Sequence, residues 1–435
     1  MSEPKRNPKR KASDTTNQVT KLPEEKLLEE ALAPLTSEDI QEWEGWIELE
    51  SEPAFFNIIL RDLGVQDIKA QEIFTMDQES LNLLPKPVFG LIFLFQYVPS
   101  HDDVEEDEDA TDVWFANQTT DNACATVAML NIIMNADGIH VGQNLSEFKE
   151  STKHLSTALR GHQLSRNTFI RSIHNSFTRR MDHLNADLYL ENEASDAMAK
   201  KVKKRATLKK GKKTTPRKRR VKPEYGYHFI AYVPAGGHVW ELDGLKSKPQ
   251  RLDAVSSDHW TSVAAPQIEG RMLQYEESQL SFNLLALCQS PLATHSHAIA
   301  QAVASLNHLH SHMKEYTDFN SLVAAEPKPL DLDDESQLSE FNLKRADIEN
   351  AEIPQSIRDK TSGPTLETSE AYALHQDLVI EVKASMGEYR AELMGIADDE
   401  QRVKGRKKDY GPALHKWVTK LAEKGVLEDM IKAAK

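Results

Sequence analysis

Tyr227-His228-Phe229-Ile230-Ala231-Tyr232-Val233, then Pro234-Ala235-Gly236-Gly237, then His238-Val239-Trp240-Glu241-Leu242-Asp243, reads as two strands joined by a turn. Phe229 and Ala231 fall on one face and Ile230 and Tyr232 on the other, the period of two that a strand requires. Working outward, residues 88–98 (VFGLIFLFQYV) form a continuous apolar and aromatic run, short enough for a buried central strand. Residues 281–287 (SFNLLAL) read as a further strand. Helical spacing dominates elsewhere, as in Phe55, Phe56, Ile59, Leu60 and Leu63. Ser165 is placed to cap a helix striped by Phe169, Ile170, Ile173, Phe177 and Met181. The chain is helical again over 299–313 and along Leu374, Leu378, Val382, Met386, Tyr389 and Leu393. An acidic, proline-containing linker is expected at 326–365 between those two.

The 435 residues exceed one average domain, so a substantial core with accessory segments is expected. No apolar run reaches the length that spans a bilayer, and no secretory leader is evident at the N-terminus. There are two cysteines, Cys124 and Cys288, which excludes a disulfide framework and a multi-cysteine zinc site and fits a reducing compartment. The net charge of −15 hides an asymmetry. Residues 1–11 and 200–222 are basic tracts on an otherwise strongly acidic chain, and 102–109 is an acidic loop. A nucleic-acid-binding domain carries its basic charge on a folded face, so nucleic acid is not expected as a partner except through 200–222. His308, His310 and His312 are a weak metal motif, because only the first and last share a helix face and no acidic or cysteine ligand is near in sequence. No metal and no cofactor is expected.

Cys124 follows Phe115-Ala116-Asn117-Gln118-Thr119-Thr120-Asp121-Asn122-Ala123 and precedes an apolar run through Val127, Met129, Leu130, Ile132 and Ile133. Such a run suits a helix buried on nearly all sides. With Asn122 as its cap, Cys124 falls in the first turn, where unpaired N–H groups and the helix dipole favour a thiolate. A carboxylate at Asp121 would oppose that if it faced the sulfur. A thiol nucleophile needs a base, and the base an orienting partner. The hairpin supplies both, because His228 and Asp243 can meet at one edge of the sheet. Taken singly, a buried cysteine, a strand histidine and an Asp-Gly turn are each ordinary; their combination is what carries chemistry.

Gln118 with Cys124-Ala125-Thr126, Tyr227-His228-Phe229-Ile230-Ala231-Tyr232-Val233-Pro234, and Glu241-Leu242-Asp243-Gly244-Leu245 together resemble the ubiquitin C-terminal hydrolase family. Trp46-Ile47-Glu48-Leu49-Glu50-Ser51 and residues 88–98 resemble its N-terminal region, and the likeness covers about 43–290. The resemblance implies an α+β, knotted fold with a central antiparallel β-sheet between helical lobes, followed by a helical C-terminal extension. It implies Cys124 as nucleophile, His228 as base and then acid, Asp243 as the partner of His228, and Gln118 as oxyanion donor together with the Cys124 N–H. The implied reaction is hydrolysis of amide or thioester bonds at ubiquitin's C-terminal glycine through a thioester acyl-enzyme. The competing expectation is a catalytically weak ubiquitin-binding scaffold.

The expected organisation is a flexible tail (1–38), a catalytic domain (39–290) with a basic crossover-loop insertion at about 185–225, a helix (291–325), the acidic linker (326–365) and a helical extension (366–435). Leu280-Ser281-Phe282-Asn283-Leu284-Leu285-Ala286-Leu287, with Asp409-Tyr410-Gly411-Pro412 and the Trp417 to Leu427 region, resembles the long branch of the family. That branch includes a proteasome-associated enzyme, towards which length and order lean, and a chromatin-associated one. By this resemblance 366–435 binds an adaptor, either a proteasomal ubiquitin receptor or a chromatin adaptor, and the partners are ubiquitin and its conjugates. The basic insertion is expected to admit bulky leaving groups or to dock an acidic partner. Pro216-Arg217-Lys218-Arg219-Arg220-Val221-Lys222 and the basic N-terminus resemble nuclear import signals, so cytoplasm and nucleus are the expected locations.

Overall fold

A computed structural model describes residues 24–96, 112–186, 188, 226–255, 260–277, 281–361 and 366–433. The basic N-terminus, the acidic loop 102–109 and the basic tract 200–222 lie outside the described residues, as does nearly all of the insertion. The chain forms two compact units, one of 37–178 with 198–408, the other of 1–36 with 179–197 and 409–435.

The larger unit is built on a six-stranded antiparallel sheet of β1 (Ile68–Glu72), β2 (Val88–Gln96), β3 (Tyr227–Ala235), β4 (His238–Leu242), β5 (Gln250–Ala254) and β6 (Phe282–Gln289), in the order β1-β6-β2-β3-β4-β5. Residues 88–96 of the apolar run thus become the buried strand β2, between β6 and β3, and 97–98 lie outside the described residues. Its side chains alternate between two cores. Leu91, Phe93 and Phe95 join Ile230, Tyr232, Leu284 and Cys288 on one face, while Ile92 and Leu94 join Phe229, Ala231, Leu285 and Leu287 on the other. The turn between β3 and β4 is tighter than the four-residue connection expected. The strands run on through Pro234 and Ala235, leaving Gly236 (φ 55°) and Gly237 (φ 75°) as a two-residue turn. A turn with positive φ at both positions matches the twist of antiparallel strands, and glycine adopts it without strain.

Helices cover both faces. In the larger unit's first half these are α1 (Ser37–Glu42), α2 (Pro53–Asp62), α3 (Gln78–Asn82), α4 (Cys124–Ile133), α5 (Gly142–Thr152), α6 (Thr157–Arg166) and α7 (Thr168–His174). α4 packs against β2 and β3, and a Cβ on Gly90 of β2 would lie 2.6 Å from Ile132, so the helix sits where the strand lacks a side chain. The opposite face is covered by α8 (Trp260–Glu277). The helix expected from Ser165 is divided. Ser165 belongs to α6, while Asn167 starts α7 by accepting the Ile170 N–H at 3.1 Å. The break lies there because the Asn167 side chain competes with the helical hydrogen bond of its own backbone.

The second half of this unit is helical, with α9 (Pro291–His312), α10 (Thr317–Val323), α11 (Glu335–Glu340), α12 (Arg345–Glu349), α13 (Gln355–Thr361) and α14 (Thr368–Arg406). The expected linker 326–365 is therefore a correction: it carries three short helices, and Leu330, Leu338, Phe341, Leu343 and Ile348 are buried with α9 and α14. Helices of five to seven residues are too short to show a helical period, which is why the composition alone read as a linker. The 39-residue α14, about 58 Å long at 1.5 Å per residue, runs along α9 and reaches α2. Lys69–Glu392 (2.6 Å), Arg61–Glu400 (2.5 Å), Arg402–Glu52 (2.7 Å) and Arg406–Glu50 (3.0 Å) bind it to the sheet-bearing half. His310 meets His375 of α14 at 3.0 Å and His308 meets Thr361 at 3.1 Å, so these two histidines are tied into helix packing.

In the smaller unit, α15 (Glu24–Leu32) leads to Ala33, whose carbonyl accepts from Arg180 Nε at 3.0 Å. α16 (Gly411–Glu423) and α17 (Val426–Ala433) meet at Gly425. Gly411 is the buried residue of α16, and Leu414, Trp417, Val418, Val426, Met430 and Ile431 are exposed.

Candidate active site

Cys124 is the first residue of α4, and all ten residues of that helix are buried. The expected cap is not the one found. Asn122 sits at φ 60° and gives its Nδ2–H to the Trp46 carbonyl at 3.1 Å, and Ala123 precedes the helix without a side-chain cap. The helix entry is thus held by a distant stretch of chain and not by local capping.

Burial pushes the Cys124 thiol up to about 11. Hydrogen bonds from the backbone N–H groups of Phe229 and Ala125 pull it down, and the charge of Glu48 raises it further. The carboxylate acting on the sulfur is Glu48, supplied from another part of the sequence, and not the neighbouring Asp121. Cys124 shares its core with Phe229, the residue after His228, whereas Phe95, which flanks the His228 ring, belongs to the core on the other face of the sheet.

His228 is 3% exposed and opposes Phe95 in the β2–β3 register, with the two rings edge to face at 5.7 Å. Its Nε2 meets Asp243 Oδ1 at 2.7 Å. Asp243 follows β4 and also accepts the Leu245 N–H at 2.9 Å. Burial pushes the Asp243 carboxyl up, but His228, the Leu245 N–H and the Lys246 charge outweigh it, leaving the group below the usual carboxylate range. Asp243 is therefore ionised at neutral pH. Because it holds Nε2, proton exchange with a sulfur would run through Nδ1.

Gln118 is fixed by its backbone N–H, which donates to the Gly244 carbonyl at 2.9 Å. Its Nε2 donates to the Thr120 carbonyl at 3.1 Å, within its own loop, and its Oε1 is buried without a hydrogen bond. Three residues that sequence reasoning missed as framework hold this loop. Asn117 Nδ2 donates to the Lys246 carbonyl at 2.5 Å, linking the Gln118 loop to the segment after Asp243. A Cβ on Gly244 would come within 3.0 Å of Gln118 Cβ, and one on Gly161 within 1.9 Å of the Asn117 carbonyl. Only the Asp-Gly pair at 243–244 gave any sequence signal of this.

Beneath the dyad lies a charged cluster. Glu241 of β4 is 2% exposed and meets Arg271 of α8 at 2.8 Å, Lys246 at 3.1 Å and the Tyr232 hydroxyl at 3.2 Å. Arg271 also lies 5.9 Å from the centre of the Phe95 ring, the ring that flanks His228. Cys288 faces this same core, across the sheet from Cys124, and burial pushes its thiol up to about 12. Neither cysteine is in a disulfide.

Residues 46–273 match the family described as ubiquitin carboxyl-terminal hydrolase, family 1. The chain is 32% identical over 255 residues to ubiquitin carboxyl-terminal hydrolase isozyme L5 of Dictyostelium discoideum, covering 59% of this chain and 65% of that one. It is 32% identical to ubiquitin carboxyl-terminal hydrolase ubh-4 of Caenorhabditis elegans, covering 56% and 66%. The matched region thus spans just under two thirds of the length of these relatives. A crystal structure of the Trichinella spiralis UCH37 catalytic domain bound to ubiquitin vinyl methyl ester aligns with a TM-score of 0.44 at 31% identity, covering 56% of this chain and 96% of that one. The family match runs over more than half of the chain and holds Gln118, Cys124, His228 and Asp243 within it. The chain belongs to the ubiquitin carboxyl-terminal hydrolase family.

Proposed function

We propose that this protein is a cysteine-type deubiquitinase that cleaves amide or thioester bonds at the C-terminal glycine of ubiquitin. The observation that supports it most is the buried His228–Asp243 pair at 2.7 Å, together with a buried cysteine as the first residue of the helix that packs on the strand carrying His228. In this reading Nδ1 of His228 takes the Cys124 proton as the sulfur attacks the glycine carbonyl, giving a tetrahedral oxyanion. The Cys124 N–H and the Gln118 amide, turned from Thr120 towards the substrate, stabilise that charge as it develops. The imidazolium then protonates the leaving amine or thiol, and a thioester remains. A water, losing its proton to His228, hydrolyses the thioester and restores the thiol. The Asp243 carboxylate stabilises the imidazolium formed twice in each cycle.

Hydrolysis of a fluorogenic ubiquitin ester tests this: wild type turns over and Cys124→Ala loses activity by at least about 1000-fold. The scaffold reading draws on the raised thiol and on the Gln118 amide folded onto Thr120. Ubiquitin binding by a wild type without turnover would favour it.

Recruitment by an adaptor belongs to the same proposal, with a narrower site than 366–435. Residues 368–406 are docked along α9 and α2, whereas α16 and α17 leave Leu414, Trp417, Val418, Met430 and Ile431 exposed. These exposed side chains support adaptor binding through 409–433, in a proteasome- or chromatin-linked complex in the nucleus or cytoplasm. Co-elution with a purified proteasomal ubiquitin receptor or chromatin adaptor, lost in Trp417→Asp, is the expected result.

A further inference from the structure

The three residues 45–47 run beside the nucleophile helix without a strand partner, yet each of their carbonyls is hydrogen-bonded by a side chain. The Gly45 carbonyl accepts from Asn175 Nδ2 at 2.9 Å, the Trp46 carbonyl from Asn122 at 3.1 Å, and the Ile47 carbonyl pairs with His174 Nε2 at 2.8 Å. Asn175 Oδ1 closes the set by accepting the Ile47 N–H at 3.2 Å. The other ring nitrogen of His174 meets the Thr126 hydroxyl at 2.7 Å.

This geometry fixes the imidazole's state. A carbonyl only accepts, so Nε2 must carry the proton, and Nδ1 must then accept from the Thr126 hydroxyl. His174 and Thr126 are both fully buried, so neither bond can be replaced by bulk water. Burial holds the imidazole down at about 4, and it stays neutral across the working range. The two α4-side anchors, Asn122 and Thr126, stand two residues before and two residues after Cys124. The residue that follows the strip is Glu48, whose charge acts on the sulfur. The strip is thus pinned on both sides of Cys124, and among the described residues His174 is the side chain that hydrogen-bonds both the strip and the helix.

We propose that His174 is a positioning residue for the nucleophile: by bridging the Thr126 hydroxyl to the Ile47 carbonyl it fixes the Cys124 turn against the strip 45–48. The inference rests on the deubiquitinase reading and adds to it a determinant of where the sulfur stands. A neutral, tautomerically fixed imidazole suits this task, because it supplies one donor and one acceptor in a rigid plane without burying a charge. The edge-to-face contact with Trp46, at 4.7 Å between ring centres, fixes the plane itself.

The test uses the full chain and four variants, His174→Leu among them as the substitution that removes both ring nitrogens. Thr126→Val removes one hydroxyl at nearly constant volume, and His174→Asn keeps a donor and an acceptor on a shorter arm. Thr361→Val removes a buried hydroxyl from the helical half, where it bonds the Ile357 carbonyl, and serves as the matched control. On a fluorogenic ubiquitin ester, Thr126→Val is expected to lower kcat by about tenfold with KM within about twofold of wild type, since misplacing a reacting group acts on the chemical step. His174→Asn is expected to retain more of kcat than His174→Leu. Iodoacetamide alkylation of Cys124 is expected to become faster in Thr126→Val as the loosened turn admits water, so hydrolysis and alkylation move in opposite directions. Unchanged kcat and alkylation in Thr126→Val overturn the proposal. Equal losses in Thr361→Val, at matched melting temperature, overturn it too, because the effect would then be general destabilisation. A wild type that fails to hydrolyse the ester defeats the deubiquitinase reading itself, which keeps the two failures distinct.

Discussion

At Cys124 two opposing influences meet on one sulfur. A first-turn position lowers a thiol, whereas complete enclosure by apolar neighbours raises it, and here enclosure wins: the thiol stands at about 11 against an ordinary 9.0. The resting nucleophile is therefore a thiol that must give its proton to His228 during attack, not a preformed thiolate. Alkylation by iodoacetamide reports the difference. A thiol raised from 9.0 to about 11 presents about 100-fold less thiolate at pH 7.5, so modification of Cys124 is expected to keep accelerating up to about pH 10. A rate that levels off below pH 8 would contradict this account. Cys288, at about 12 and across the sheet, is expected to react only when the protein unfolds.

At the level of elements, β4 and α8 are joined by a buried charge cluster that also supports the dyad. Glu241 compensates both Arg271 and Lys246, and its side chain is 1% exposed while theirs are 26% and 32% exposed. Removing the carboxylate charge leaves two cations at a largely dry sheet surface, partly relieved by their own access to water. Glu241→Gln is expected to destabilise the protein by about 2 kcal/mol in urea unfolding. Because Arg271 packs on Phe95 and Phe95 flanks His228, kcat should fall with it. A stable variant of unchanged kcat would show that the cluster serves neither purpose. The hairpin that brings His228 to Asp243 was legible from its alternation and its two glycines. The cluster behind it was not, since Glu241 and Arg271 are thirty residues apart and belong to elements of different period.

Over the whole molecule, α14 makes the helical half part of the larger unit. Leu378, Val382, Met386 and Tyr389 are buried in it, and a line of ion pairs runs to Glu50, Glu52, Arg61 and Lys69. Those pairs are mostly exposed and contribute little each, about 0–1 kcal/mol, so apolar burial does most of the holding. A chain ending at 408 is expected to remain folded with full activity on a ubiquitin ester. One ending at 365 is expected to lose cooperative unfolding of the α9–α13 region and to aggregate, as read by thermal denaturation and light scattering. Equal melting curves for the two would show that α14 is dispensable.

The sequence by itself determined what local period and side-chain chemistry can encode. It set the alternation of β3, the depth of β2, a cysteine at the head of a largely apolar helix, and a histidine and aspartate on the two arms of one hairpin. Tertiary structure decided everything that depends on which distant surfaces meet. It made Glu48 rather than Asp121 the carboxylate acting on the sulfur, gave Asn122 to the Trp46 carbonyl instead of to its own helix, and buried Leu330, Leu338, Phe341, Leu343 and Ile348 of the expected linker in a core. The physical reason is common to all three. A residue's own neighbours fix which face it presents, but desolvation and hydrogen-bond satisfaction are settled by what is packed against that face, and such contacts leave no period in the chain.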